Sequence, residues 1–261
     1  MQHSYWQKQS STEPLYPDIE WSKPEQRAQA GRLAIIGGNK LGFITVRDSY
    51  ELAHHLGAGQ IRAVLPDALR GTVPVTATDA LFLPSNPSGG LSKEGHGELH
   101  ATAQWADVSL LIGDSGKNSE TAIALESLLD SPNYLVVTRD AADLLRHTSQ
   151  KLVERDKTVL ILSFAQLQKY FQSIYYPIIL SFSMQLTHLV EALHKFTLTY
   201  PTTIVTFHHN QLLVAYEGLV TSTAWDEPML IWRGSVATKA ACYLLWTPRK
   251  PLEAITASFL A

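Results

Sequence analysis

The sequence predicts an α/β domain whose central sheet is mainly parallel, with helices on both faces and a hairpin region toward the C-terminal end. Two observations lead there. From Gly31 onward, short apolar runs alternate with helical stretches, the pattern of βα units. The runs are nearly continuous rather than alternating, as expected of strands buried on both faces. A chain of 261 residues can fill one large core without dividing into two.

The elements follow in order. Leu33–Ile36 is a strand stopped by Gly37-Gly38, and Ser49 is placed to cap a helix that runs through Leu56 to Gly57 and Gly59. Ile61–Leu65 is a strand, Pro66-Asp67 a turn, and Pro84 to Gly97 a loop rich in Pro, Ser and Gly. Val108–Ile112 is the next buried strand. Asn118 or Ser119 caps a helix with an apolar stripe of Ile123, Leu125, Leu128 and Leu129. Tyr134–Val137 and Val159–Leu162 are strands separated by a helix from Asp140 to about His147. Helices over Ala165–Gln172 and Ser183–Leu198 precede a strand at Thr203–Phe207. Gln211–Ala215 and Leu219–Thr221 form a hairpin around Glu217-Gly218. Two helices, Ser235–Trp246 and Pro251–Leu260, close the chain on either side of Pro248. Ligands on such sheets bind at the carboxyl ends of the strands.

Composition narrows the function classes. A net charge of −3 supplies no basic field for a nucleic acid backbone. The most apolar stretch, Ile174 to Leu186, is too short and too polar to span a bilayer, so no membrane partner is expected. The single cysteine, Cys242, excludes an internal disulfide framework and a cysteine-rich zinc site, and fits a reducing cytoplasm. Charged residues make up 17%, below the ~25% of ordinary soluble domains, which suits a homo-oligomer. Residues 1–30 read as an extended lead-in to a single domain over 31–261, with Tyr5, Trp6 and Trp21 as candidate anchors for subunit contacts.

Four segments, in this order, resemble the ADP/ATP-dependent NAD(P)H-hydrate dehydratases. They are Gly31-Arg-Leu-Ala-Ile-Ile-Gly-Gly-Asn39, similar to the family's opening strand and glycine-rich substrate loop; Asp107 to Thr121, similar to a strand ending in "GPGLG" and its helix; Tyr134 to Leu145, similar to a strand leading into "DADAL"; and Gly234-Ser-Val-Ala-Thr238, where the family has "GTGD". The resemblance spans residues 20 to 260. It implies a three-layer ribokinase-like fold, ADP or ATP with Mg2+ as cofactors, and NADH, NADPH or the hydrate as ligand. It further implies substrate binding by Gly38, Asn39 and Lys40, and nucleotide binding by Ser115, Gly116, Lys117, Asn118, Arg233, Gly234 and Ser235.

The departures are chemical. Ala237 stands where the family's catalytic aspartate would be, and Val236 replaces the second glycine of that motif. Thr138 takes the place of the first Asp of "DADAL", with Asp140 in the second. The "TPHPGE" segment falls near Ile161–Gln166 without its Pro, His or Glu; the Lys and Gly of "LKG" match Phe207 and His208. The family's reaction phosphorylates a hydroxyl and expels phosphate, so it needs a base and fixed donors for phosphoryl oxygens. With the base gone, the sequence points to a catalytically degenerate relative that keeps nucleotide or dinucleotide binding. The alternatives are an active enzyme using Asp140 or Asp114 as substitutes, and a non-catalytic oligomeric scaffold. His208-His209 is not expected to hold a metal, because neighbours on a strand face opposite sides.

Overall fold

A computed structural model describes residues 4–73 and 79–261. In chain order the elements are β1 (Trp6–Gln9), β2 (Arg32–Gly37), α1 (Ile44–Leu56), β3 (Gln60–Pro66), β4 (Ala80–Leu83), α2 (His96–Trp105), β5 (Val108–Gly113) and α3 (Ser119–Glu126). Then come β6 (Tyr134–Thr138), α4 (Arg139–Leu144), α5 (Ser149–Glu154), β7 (Thr158–Leu162), α6 (Phe164–Ser173) and α7 (Leu186–Thr199). The last are β8 (Thr203–His208), β9 (Gln211–Tyr216), β10 (Leu219–Ala224), α8 (Pro228–Trp232), α9 (Ser235–Trp246) and α10 (Pro251–Ser258).

The described strands form one sheet in the order β1-β10-β9-β8-β7-β6-β5-β2-β3-β4. It is parallel from β4 through β8; β9 turns back antiparallel to β8 and β10, and β1 adds parallel to β10. Two cores flank it. Leu111, Leu135, Leu160 and Ile204 point into one, beneath α2 to α7. Leu110, Val136, Ile161 and Val205 point into the other, beneath α1, α9 and α10. Neighbouring residues on one strand thus serve opposite cores, which is why these strands read as unbroken apolar runs.

The expected strands at the sheet centre and the hairpin are present. The structure departs from expectation elsewhere. β4, α2 and α8 were not foreseen: β4 is a four-residue edge strand, and α2 buries only Leu99, Thr102 and Ala103. Ser49 does not cap α1; it is buried within a helix that begins at Ile44 behind an N-cap, Phe43, with no side-chain acceptor. The helix after Asp140 is α4, a 3-10 turn at Leu145–Thr148, and α5. α7 begins at Leu186, not Ser183.

In the N-terminal segment, Trp6 donates its indole N–H to Ser222 Oγ at 3.0 Å, and Tyr5 stacks on His194 with ring centres 3.8 Å apart. Two of the three aromatics considered as subunit anchors therefore contact their own chain, while Trp21 is 87% exposed. No described helix is long and apolar enough to cross a membrane. Cys242 is buried in α9, and burial pushes its thiol up to about 12.

Candidate functional site

The carboxyl ends of β5, β6 and β7 border one cleft, and the turn after β2 joins it through Gly38 bonded to Gly113. After β5 the chain turns through Gly113, Asp114 and Gly116, all at positive φ (95°, 56° and 80°). Such a turn aims successive backbone N–H groups at one point, a ready anion nest. Its occupant is internal. Asp140, in the first turn of α4, accepts the N–H of Asp114 at 2.9 Å, of Ser115 at 2.8 Å and of Gly116 at 3.1 Å. A Cβ at residue 113 would stand 2.1 Å from Asp140 Oδ1, so only glycine admits this carboxylate. Burial pushes the Asp140 carboxyl above its usual range, opposed by the Ser115 N–H, the Arg139 charge and the Gly116 N–H.

Asp114 is committed as well. Its Oδ1 pairs with Arg139 Nη2 at 2.8 Å, and its Oδ2 accepts the N–H of Thr45 at 3.0 Å. Asp114 thus supplies α1 with the acceptor that Phe43 lacks. Arg139 sits at φ 54°, a left-handed conformation for a non-glycine residue, and also bonds Thr45 Oγ1. Both acids considered as substitute bases hold the framework.

The other predicted site residues divide into those near this centre and those that are not. Gly38, at φ 84°, donates its N–H to Gly113 O at 2.9 Å. Asn39 exchanges backbone hydrogen bonds with Gly42, and its amide lies 3.0 Å from where a Gly116 Cβ would be. Lys40 is exposed and crosses over Gly89. Asn118 caps α3 by accepting the Glu120 N–H at 2.8 Å. Ser115 Oγ is buried without a partner, and Lys117 is exposed.

At the start of α9, Gly234 holds φ 84° where a Cβ would press 2.6 Å from Ile112 Cδ1. Ser235 Oγ donates to Leu230 O at 2.8 Å, joining α9 to α8, and Arg233 is exposed. Ala237 is 1% exposed. Its methyl group faces the core, so the position offers neither a carboxylate nor space for one.

The open part of the site is a cleft of about 500 Å³ lined by Asp114, Arg139, Asp140, Asp143, Gln166, Lys169 and Trp232 among others. It shares Asp140, Asp143 and Lys169 with a second hollow of about 470 Å³ that adds Gly116, Lys117, Ser119 and Arg146. Lys117, Arg146 and Lys169 form no ion pair among the described residues. Gln166 is structural here: it completes a capping box with Ser163 and donates to Arg139 O at 2.7 Å and Asp143 Oδ2 at 2.9 Å. Sequence reasoning missed Arg139, Asp143, Arg146 and Lys169. The Ser163-x-x-Gln166 spacing is the one signal that could have located the wall they share.

The residues present fit an anionic ligand at the three unpaired cations. They do not fit Mg2+-assisted phosphoryl transfer of the kind the resemblance implies. The N–H nest is filled by Asp140, Asp114 is paired with Arg139, Asp143 accepts from Gln166, and no group of three His, Cys, Asp or Glu side chains placed to hold a metal occurs among the described residues.

His208 and His209 do not face opposite sides as residues within a regular strand would. The turn that follows β8 puts His209 at φ 47° and Asn210 at φ 54°, which ends the strand's alternation. Both imidazoles therefore fall on the same side, with ring centres 4.1 Å apart. His208 also stacks on Phe164 at 4.6 Å.

No protein-family model matches the sequence, and no curated protein matches it. Solved structures do. A ribokinase-like superfamily protein from Enterococcus faecalis V583 is similar with TM-score 0.73 at 17% identity, covering 100% of this chain and 87% of that one. An ADP/ATP-dependent NAD(P)H-hydrate dehydratase from Bacillus subtilis, co-crystallised with ATP/Mg2+, has TM-score 0.58 at 13% identity, covering 92% of this chain and 83% of its own. A phosphomethylpyrimidine kinase from Clostridium difficile 630 has TM-score 0.54 at 10% identity, covering 87% and 96%. At these identities the likeness is one of architecture, and the chain has the ribokinase-like fold that the resemblance implied, built on the mainly parallel sheet expected from its buried strands.

Proposed function

We propose that this protein binds a nucleotide or dinucleotide in the cleft at the carboxyl edge of its sheet and does not turn it over by dehydratase or kinase chemistry. The observation that carries the reading is the double commitment of Asp140 and Asp114. One carboxylate fills the N–H nest and the other is divided between Arg139 and Thr45. A base must be free to take a proton from a hydroxyl, and its absence costs ~10²–10⁴-fold in rate. Lys117, Arg146 and Lys169 around the hollow support a phosphorylated ligand, since an unpaired cation at a cleft rim attracts phosphate oxygens. The same reading has the protein in the cytoplasm as a homo-oligomer.

Two measurements test it. In thermal denaturation with ADP, ATP, NADH and NADPH, at least one raises the melting temperature; a ligand at 100 times its Kd adds about 2.7 kcal/mol to stability. In an assay of NADPH recovery from its hydrate with ADP or ATP, turnover is absent. Recovery at an ordinary enzyme rate shows instead that Asp114 or Asp140 serves as a base. No shift with any nucleotide favours the scaffold.

A further inference from the structure

A separate hollow of about 730 Å³ lies at the amino edge of the sheet, where β3 and β4 begin, at the other end of the strands from the cleft. The sheet register creates it. β4 meets β3 only from Ala63 onward, with Ala80 as its first partner, so residues 60–62 pair with β2 alone among the described residues. The hollow opens beside them. Its walls are completed by Tyr50 and His54 of α1, by Trp105 at the end of α2, and by Arg27 in the 3-10 turn Arg27–Gln29.

The charged groups there are held in place without being neutralised. The Arg62 guanidinium lies 4.0 Å from the centre of the Trp105 ring, and its N–H groups have no acceptor among the described residues. Arg27 donates through Nε to the carbonyl oxygen of Ala58 at 3.1 Å and bonds His54 Nε2 through Nη1 at 2.8 Å. A guanidinium only donates, so the histidine nitrogen accepts, and neither partner carries a negative charge. Asp79 is the one acid of the lining. Its Oδ2 accepts the Tyr50 hydroxyl at 2.7 Å, and its Oδ1 has no partner among the described residues. Two arginines against one carboxylate leave a positive excess that selects an anion.

We propose that this hollow binds a small phosphate ester bearing hydroxyl groups, of sugar-phosphate size, with Arg27 and Arg62 on the phosphate and Asp79 on a hydroxyl. The planar fork of arginine matches phosphate oxygens, and guanidiniums already fixed by stacking and by carbonyls lose little freedom on binding. A carboxylate only accepts, so Asp79 requires a donor on the ligand and repels a second anionic group. The volume falls within the ~300–1,000 Å³ of small-molecule sites and exceeds what a bare phosphate ion fills. The proposal does not rest on nucleotide binding at the carboxyl edge.

Calorimetric titration of the full chain at pH 7.5 with ribose 5-phosphate and glucose 6-phosphate is expected to show one site for at least one of them. Inorganic phosphate should bind at least tenfold more weakly, and ribose and glucose not detectably. Arg62→Gln, checked for folding by circular dichroism, should weaken the ester at least tenfold, and Arg62→Lys, which keeps the charge and loses the fork, by less. Lys169→Ala, at the opposite edge, should leave the affinity for the ester unchanged. Failure of both esters to bind overturns the proposal, as does undiminished binding in Arg62→Gln. Loss in Lys169→Ala overturns it by placing the ester in the carboxyl-edge cleft, and phosphate binding as tightly as the ester overturns the role given to Asp79.

Discussion

Two helix starts at the carboxyl edge show the same backbone device put to different ends. Before α3, glycines at positive φ gather N–H groups around a charge, and the charge is the protein's own Asp140. Before α9, a glycine at positive φ gathers nothing: Gly234 is pressed against Ile112 and Thr45, and the first turn of the helix sinks into the core. In the first, the conformation serves polar satisfaction; in the second, close packing. The contrast teaches that a glycine-rich turn before a helix is evidence of backbone geometry, and that its occupant decides its use. Here the occupants are a carboxylate and an isoleucine.

The sharpest way to break this comparison is to put a charge into the apolar start. Ala237→Asp, at a site 1% exposed, buries an unpaired carboxylate and should cost about 3–5 kcal/mol in urea denaturation. It should restore no NADPH recovery, because Val236 and Phe207 also differ from the family pattern. Rescue by that single change would show that residues 235–238 face a ligand after all. Next in size, Asp140→Ala strands three N–H donors and should cost about 2–3 kcal/mol, with Asp140→Asn costing less because one acceptor oxygen remains. A neutral Asp140→Ala would mean that the nest does not depend on its internal anion. Gly234→Ala should cost about 1–2 kcal/mol, from positive φ and the Ile112 contact together.

How much of this was legible follows from what each residue answers to. The strands β2, β5, β6, β7 and β8 could be read because burial on both faces leaves an apolar run that no local choice disguises. β4 is a half-exposed edge, and α2 carries few apolar residues, so neither leaves that trace. The glycines at 38, 113, 116 and 234 could be singled out, since positive φ selects them. Their partners could not. Asp140 lies 24 to 26 residues from the N–H groups it holds, and the acceptor for the first turn of α1 comes from Asp114, 69 residues away. The false start at Ser49 has that cause: sequence rules look for a local cap, and this helix borrows a distant one. The two rings at His208 and His209 do not face opposite ways because the alternation rule holds only while a strand lasts, and β8 ends between them.

Smaller effects sharpen the comparison at the cleft itself. Lys117→Ala and Lys169→Ala should leave the melting temperature of the free protein unchanged, because neither side chain has an ion pair to lose. Each should weaken a bound nucleotide about 3- to 10-fold, the scale of a solvent-screened contact. Equal affinity in the double variant would move the ligand away from the hollow that these lysines share with Asp143.

The smallest expected effect concerns pH and separates His208 from Asp140. Burial depresses the His208 pKa in the folded chain, so the neutral ring is the form the fold favours. The unfolded ring takes its proton near pH 6.5. Between that value and the lower folded one, the unfolded state binds more protons, and stability falls as the solution is acidified. Above it the contribution is complete. Asp140 has the opposite sign: its folded pKa is raised, so the stability contributed by its protonated form is lost as pH rises through the folded pKa. Denaturation between pH 7.5 and 5.5 therefore separates the two by sign, since only the histidine makes stability fall on acidification. His208→Gln should flatten that fall, whereas Asp140→Asn should not. A slope that persists in His208→Gln would assign the acid sensitivity to another group and remove the reason for expecting the neutral ring at the end of β8.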